Sequence, residues 1–350
     1  MSGATDVTHG ADLATLVPVM ARATASYPFK RWGFGESITM EALLAAGGEP
    51  GAFAAGLVTD WALDHAPLAS DPLAHVAPGV PLLDLVERGG DDPGQLLARA
   101  RELAAIFEES AVGEHGAQIH RPDLAGWEHE VWVDCMHLDG PFLSQLALVT
   151  GEERYADLAK TILLGHARIL QDERSGLFSH GFNDLEGQPN GIHWGRGQGW
   201  ALLGLMDTAR NLPQGDAVRI EAVQRLDAQV AGIAAQEVEP GEWRTVVDAP
   251  ETAVESSVAA FVALAVGRAI GHGLLSERWM PMADRAWAAT RARITVAGFL
   301  PGVSDATPVG VDAAHYDSRA RGVFPWGQGP ALLAAIDRMD TTTIKDGMSE

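Results

Sequence analysis

Apolar positions along the chain recur with the spacing of a helix almost everywhere. Leu96, Ala100, Leu103 and Phe107 share one face; Tyr155, Leu158, Ile162 and Ile169 share another; Ile220, Val223, Leu226, Val230 and Ile233 mark a third. Strand-like alternation is hard to find. Turn signals at Gly47-Gly48-Glu49-Pro50, Gly89-Gly90-Asp91-Asp92-Pro93, Thr150-Gly151-Glu152, Leu212-Pro213-Gln214-Gly215 and Gly271-His272-Gly273 cut this pattern into roughly a dozen predicted helices. A further apolar helix is expected at Phe142, Leu143, Leu146 and Leu148.

The predicted helices are of two kinds. One kind is introduced by a glycine- and tryptophan-rich or acidic stretch: Arg31 to Glu36, Ala77 to Pro81, Trp132 to Asp134, Trp194 to Trp200, Glu251 to Ser257 and Phe324 to Gly329. Between these lie amphipathic helices with a charged face, such as Gln95 to Phe107, Arg154 to Leu170 and Arg219 to Ala234. An inner apolar helix followed by an outer, half-solvated one, repeated six times, predicts an all-α toroid of six αα-hairpins, an (α/α)6 barrel. It occupies one domain over residues 1–350, with frayed tails at about 1–10 and 341–350. The starts of the inner helices share one end of such a ring, so the six stretches are expected to converge on one pocket.

Charge narrows the partners. With 47 acidic residues against 25 lysines and arginines, the formal net charge is -22, a field that repels nucleic acid and anionic membranes. A small anionic substrate is still compatible, because a few Arg and His side chains reverse the sign locally. The first residues carry no basic segment followed by an apolar run, and no stretch approaches the length of a membrane span, so a cytoplasmic protein is expected. The single cysteine, Cys135, precludes an internal disulfide and carries no metal-site pattern.

Chemistry concentrates in Val131 to Gly151. Asp134 sits among Trp132, Val133, Met136 and Leu138, and a lone acid in apolar company has either a shifted protonation or a dedicated partner. A capping acid at a helix start is the plainer alternative. In His193 to Trp200, three glycines would let backbone approach a ligand, Arg196 offers a fork for a carboxylate, and Trp194 and Trp200 offer flat faces for a sugar. The alternative is a tight turn with packed tryptophans. His180, in Ser179 to Asp184, is either a hydrogen-bonded structural histidine or a site residue. His120, Arg121 and His129 precede Asp134 and could contact substrate or solvent. Glu255-Ser256-Ser257 reads as site chemistry or as a helix cap. No nucleophile elbow and no metal-ligand spacing is visible, so neither metal nor cofactor is expected.

Taken in order, Trp-Val-Asp with Gly-Pro-Phe-Leu, Gly-Leu-Phe-x-His, Trp-Gly-Arg-Gly-x-Gly-Trp and Glu-Ser-Ser closely resemble the unsaturated rhamnogalacturonyl hydrolases of glycoside hydrolase family 105, relatives of the unsaturated glucuronyl hydrolases of family 88. The resemblance runs from about Trp32 to Ile336 and implies the same (α/α)6 barrel. It implies that Asp134 is the general acid/base, that Trp132 lines its pocket, that His180 and Arg196 bind substrate, and that Trp194 and Trp200 form stacking walls. His120 and Arg121 resemble a basic pair in the family. This chain has Cys135, Leu138 and Gln198 where threonine, methionine and asparagine are usual. The second aspartate of family 88 has no counterpart in His75 to Pro81. The implied reaction removes a 4,5-unsaturated uronic acid from a lyase-generated pectin-type oligosaccharide by hydrating its C4=C5 bond. Two other readings are a sugar isomerase of the N-acylglucosamine 2-epimerase kind, which needs paired histidines such as His180 and His193, and a non-catalytic carbohydrate-binding toroid.

Overall fold

The computed structural model describes residues 12–29, 34–64 and 78–347. Arg31, Trp32, Gly33, His75, Val76 and Ala77, named above, lie outside the described residues, as do positions 1–11 and 348–350. In chain order the helices are α1 (Leu13–Ala25), α2 (Ser37–Ala46), α3 (Gly48–Leu63), α4 (Gly79–Glu87), α5 (Pro93–Glu109), α6 (Cys135–Thr150), α7 (Glu153–Leu170), α8 (Gly195–Asn211), α9 (Ala217–Ala234), α10 (Ser256–Gly271), α11 (Met280–Arg293), α12 (Ala313–Asp317) and α13 (Pro325–Gly347). Local chemistry sets several starts. Asp12 accepts the Thr15 amide ahead of α1, Asp92 the Gln95 amide ahead of α5, and Asp216 the Val218 and Arg219 amides ahead of α9, each satisfying donors that a helix start leaves orphaned.

Helices α2, α4, α6, α8, α10 and α13 pack in that order, and α13 returns to α2 to close the ring. Their sequences explain their place. In α10 every residue from Ser256 to Val266 is buried, whereas α7 buries a stripe through Tyr155, Ala159, Ile162, Leu163, His166 and Leu170 and leaves its other face in water. The (α/α)6 barrel predicted from the apolar pattern is therefore the fold.

Three expectations are corrected. The hairpins do not all run inner helix then outer: α3, α5, α7, α9 and α11 follow their inner partners, but α13 takes α1, from the other end of the chain, as its outer neighbour. Leu148 and Ile220, placed on buried faces by spacing, are 60% and 49% exposed; Leu148 lies in the last turn of its helix and Ile220 in the first turn of its own. The last helix continues to Gly347, so its backbone runs beyond the start of the tail expected from Thr341.

The glycines of the Trp194 to Trp200 segment serve packing. A Cβ on Gly195 would meet the Arg244 carbonyl and Val258, one on Gly197 would meet Trp194 and Val133, and one on Gly199 would meet the Phe261 ring. They let α8 press against its neighbours, and they do not open backbone to a ligand. A repeat is visible here. Gln198, one turn into α8, accepts the Phe178 amide at 2.9 Å and donates to its carbonyl at 2.7 Å; Gln328, one turn into α13, accepts the Leu300 amide at 2.9 Å and donates to the Gly298 carbonyl at 2.7 Å. Each buried amide ties the loop before an inner helix to that helix's first turn.

Strands are short and sit at the end where the inner helices start. β1 (Glu130–Trp132), β2 (Gly181–Asn183) and β3 (Gln188–Pro189) form an antiparallel sheet with Trp132 opposite Gly181; β4 (Val303–Ser304) pairs with β5 (Arg321–Gly322). Among the described residues no helix is long and apolar enough to cross a membrane.

Candidate active site

The β1–β2 register determines what meets what. Because Trp132 pairs with Gly181, the Val133 amide donates to the His180 carbonyl at 2.9 Å, and the next residue, Asp134, is delivered beside the His180 ring. Asp134 Oδ2 lies 3.1 Å from His180 Nε2. Asp134 has helical backbone angles and its carboxylate makes no capping bond to α6, so helix capping does not account for it. It is 2% exposed.

The tautomer of His180 follows from a chain of fixed donors. Asn190 Oδ1 accepts the Gly181 and Ile192 amides, which turns its Nδ2 toward the Tyr316 hydroxyl at 3.2 Å. The Gly310 amide also donates to that hydroxyl, at 3.0 Å. With two donors filling its lone pairs, the phenol sends its own proton to the remaining neighbour, His180 Nδ1, at 2.8 Å. In the neutral ring the other nitrogen then carries hydrogen, so Nε2–H donates to Asp134 Oδ2, leaving Oδ1 for a ligand.

A cleft of about 300 Å³ opens above Asp134, lined by Trp127, Trp132, Trp194, Trp326, Arg196, Arg319 and the turn Ala306-Thr307-Pro308. That volume suits one sugar residue. Trp132 is braced by a bond from its indole nitrogen to Glu130 and by stacking on His120, ring centroids 4.0 Å apart. Trp326 donates to the Ser304 carbonyl at 2.8 Å.

Of the residues singled out in the sequence, Asp134, Trp132, Trp194 and Arg196 line this cleft, and His180 lies against Asp134 and Trp194. Three fall elsewhere. Trp200 stacks on His137 and packs edge-on against Phe261 inside the barrel, because six residues along α8 carry it down the axis and away from the mouth. His120 forms the back of the Trp132 wall; burial, with the charge of Arg121 adding to it, lowers its pKa to about 3, so it is a neutral packing ring. Arg121 turns to Asp123 at 2.9 Å.

Arg196 is present but its fork is already engaged. Nη1 donates to the Ser304 carbonyl and hydroxyl, Nη2 to the Asp305 carbonyl and Thr307 hydroxyl, and Glu255 lies 3.5 Å away. Its plane lies over Trp194 at 4.5 Å. Burial lowers its pKa to about 10. Glu255 accepts from the Ser257 amide and hydroxyl and from the Ser304 amide, so Glu-Ser-Ser is a helix cap that also holds the β4 loop. Of the two arginines that line the cleft among the described residues, Arg319 is the one left over: its Nε is buried without a hydrogen bond. Sequence reading missed Arg319 and Tyr316. Their one trace was a tyrosine, one of three in the chain, in a segment with no periodicity. His193 is bonded to Asp248 at 2.7 Å and does not line the cleft, so the histidine pair that an isomerase needs is not assembled.

Similarity to known proteins gives the family and supports the fold. The model of Glycosyl Hydrolase Family 88 matches residues 52–342. An unsaturated rhamnogalacturonyl hydrolase, YesR, of Bacillus subtilis is 28% identical over 275 residues, 76% of each chain. An unsaturated 3S-rhamnoglycuronyl hydrolase of an Alteromonas species is 22% identical over 214 residues, 59% of this chain and 51% of that one. Among solved structures, a possible member of family GH105 from Salmonella enterica superposes with TM-score 0.82 at 22% identity over 96% of both chains. The unsaturated glucuronyl hydrolase of Bacillus sp. GL1, responsible for glycosaminoglycan degradation, gives TM-score 0.72 at 16% identity over 95% of this chain and 97% of that one.

Proposed function

The chain belongs to glycosyl hydrolase family 88, and from that premise we propose that it removes a 4,5-unsaturated uronic acid from the non-reducing end of oligosaccharides left by a polysaccharide lyase. The observation that carries this reading is Asp134, the one carboxylate lining a tryptophan-walled cleft among the described residues, with one oxygen held by His180 and the other available to a ligand.

Asp134 in its acid form gives a proton to C4 of the unsaturated sugar, and positive charge develops at C5 and the ring oxygen. Water then adds at C5 while the Asp134 carboxylate takes its proton. The product is a hemiketal, which opens to a ketone at C5 and releases the rest of the oligosaccharide from C1. One residue serves both steps because they are sequential, so the fixed separation of two carboxylates that governs ordinary glycosidases is not needed. His180 holds the carboxyl group in one orientation throughout. The tryptophan faces take the sugar ring, and Arg319, with no protein partner, takes the substrate carboxylate; Arg196 shapes the turn that closes that side.

Positioned acid/base catalysis is worth about 10²- to 10⁴-fold. Asp134→Asn is expected to lose at least that much turnover, followed as the fading absorbance of the conjugated enol-ether acid, while keeping the wild-type melting temperature. Near-wild-type turnover in this variant refutes the assignment.

A further inference from the structure

Behind the catalytic acid, on the side of α6 turned to the outer ring, three potential ligands meet. Cys135 and Asp139 are one turn apart on α6, and His166 reaches them from α7. The cysteine sulfur, a carboxylate oxygen and a ring nitrogen all lie within 4.8 Å of one another, and all three residues are 0% exposed. Two of the three lack partners, and the cysteine sulfur has a single long contact, 4.0 Å to His120 Nδ1. His166 Nδ1 donates to the Ile162 carbonyl at 2.9 Å, which makes Nε2 the lone-pair nitrogen, and Nε2 has no partner. Neither oxygen of Asp139 has one either. A buried carboxyl group without hydrogen bonds is costly, and here two further metal-ligand types lie within 4.8 Å of it.

We propose that Cys135, Asp139 and His166 bind a zinc ion. Charge supports this: thiolate and carboxylate each contribute one negative charge, so a divalent ion gives a neutral buried centre, and binding releases the thiol and carboxyl protons. Size supports it as well. Some point lies within about 2.8 Å of all three atoms in any triangle of this size, so modest side-chain rotation reaches the 2.0–2.3 Å of zinc bonds. The mixed sulfur, nitrogen and oxygen set favours zinc over calcium or magnesium. Water takes the fourth position. The absence of a paired Cys or His motif hid the site from sequence reading, since its third member lies on the next helix. Bound there, the ion pins the first turn of α6, which Asp134 precedes, to α7. This inference does not depend on the hydrolase reading.

The test uses untagged full-length protein purified without chelator. Elemental analysis is expected to give about one zinc per chain. Cobalt(II) exchanged into the site is expected to show thiolate-to-cobalt charge transfer in the near ultraviolet, absent in Cys135→Ser. Stripping the metal should lower the melting temperature, and zinc should restore it. Less than about a tenth of a zinc per chain, after equilibration and refolding with zinc, overturns the proposal. So does full zinc content in both Cys135→Ser and His166→Gln, which would locate the ion elsewhere. If neither variant folds, the zinc content and cobalt spectrum of the wild type decide.

Discussion

Replacing Tyr316 with phenylalanine removes a single oxygen and three hydrogen bonds: from the Gly310 amide, from Asn190 Nδ2 and to His180 Nδ1. Tyr316 is fully buried, so water does not readily replace them. At about 1 kcal/mol net for each bond, the loss of stability is about 3 kcal/mol. With an unfolding entropy of about 2.1 cal/mol/K per residue over 350 residues, that lowers the melting temperature by about 4 °C. The catalytic consequence is separable. Without the phenol proton, nothing obliges Nδ1 to be the bare nitrogen, and the Nε2–H that aligns Asp134 is no longer enforced. A loss of 1.4 to 2.7 kcal/mol of transition-state stabilisation corresponds to a kcat about 10- to 100-fold lower. KM should change little, since Tyr316 does not line the cleft. Steady-state kinetics on a lyase-generated unsaturated disaccharide and a thermal melt give both numbers. A variant that melts about 4 °C lower yet turns over at the wild-type rate refutes the claim that the phenol sets the His180 tautomer.

Two further predictions follow from groups that the sequence did not single out. Arg319→Met is expected to raise KM by about 10- to 100-fold, the worth of a charge-assisted bond of 1.5 to 3 kcal/mol, with a smaller change in kcat; an unchanged KM moves carboxylate recognition elsewhere. Glu41, inside the barrel near His137, has its pKa raised to about 8 by burial, with Asp84 and Asp207 adding to it. Its stabilising contribution is complete below the ordinary pKa of 4.5 and is lost as pH rises toward 8, at up to about 1.4 kcal/mol per pH unit. Denaturant titrations at pH 5 and pH 9 should therefore show Glu41→Gln gaining on wild type at the higher pH; parallel curves would contradict the assignment.

Residue by residue, the sequence carried the ring better than its mouth. A helix such as α10, apolar on every side, has to be surrounded, and a striped one such as α7 has to face water, so the two layers could be read from periodicity alone. The same logic failed at helix ends, where Leu148, in a last turn, and Ile220, in a first turn, keep the period but stay exposed. Asp134 could be singled out because it interrupts an apolar run, and His180 because it stands in a loop just ahead of the glycine-tryptophan segment. Trp200 was misplaced because composition marks an aromatic residue without saying how far down a helix it lies. The glycines around Arg196 were misread for a related reason: a missing side chain serves a neighbouring helix as readily as a ligand. Arg319 and Tyr316 come from the stretch between β4 and β5, whose shape is set by tertiary bonds that no local pattern encodes.

The pairing of α1 with α13 also bears on biosynthesis. Helix α1 is translated about three hundred residues ahead of α13, its inner partner, so its apolar face must wait, uncovered, for that length of chain. Five hairpins can assemble as they emerge, but the circle stays open until then. A chain halted before α13 would present two raw edges at once, and these are the surfaces a chaperone would be expected to grip.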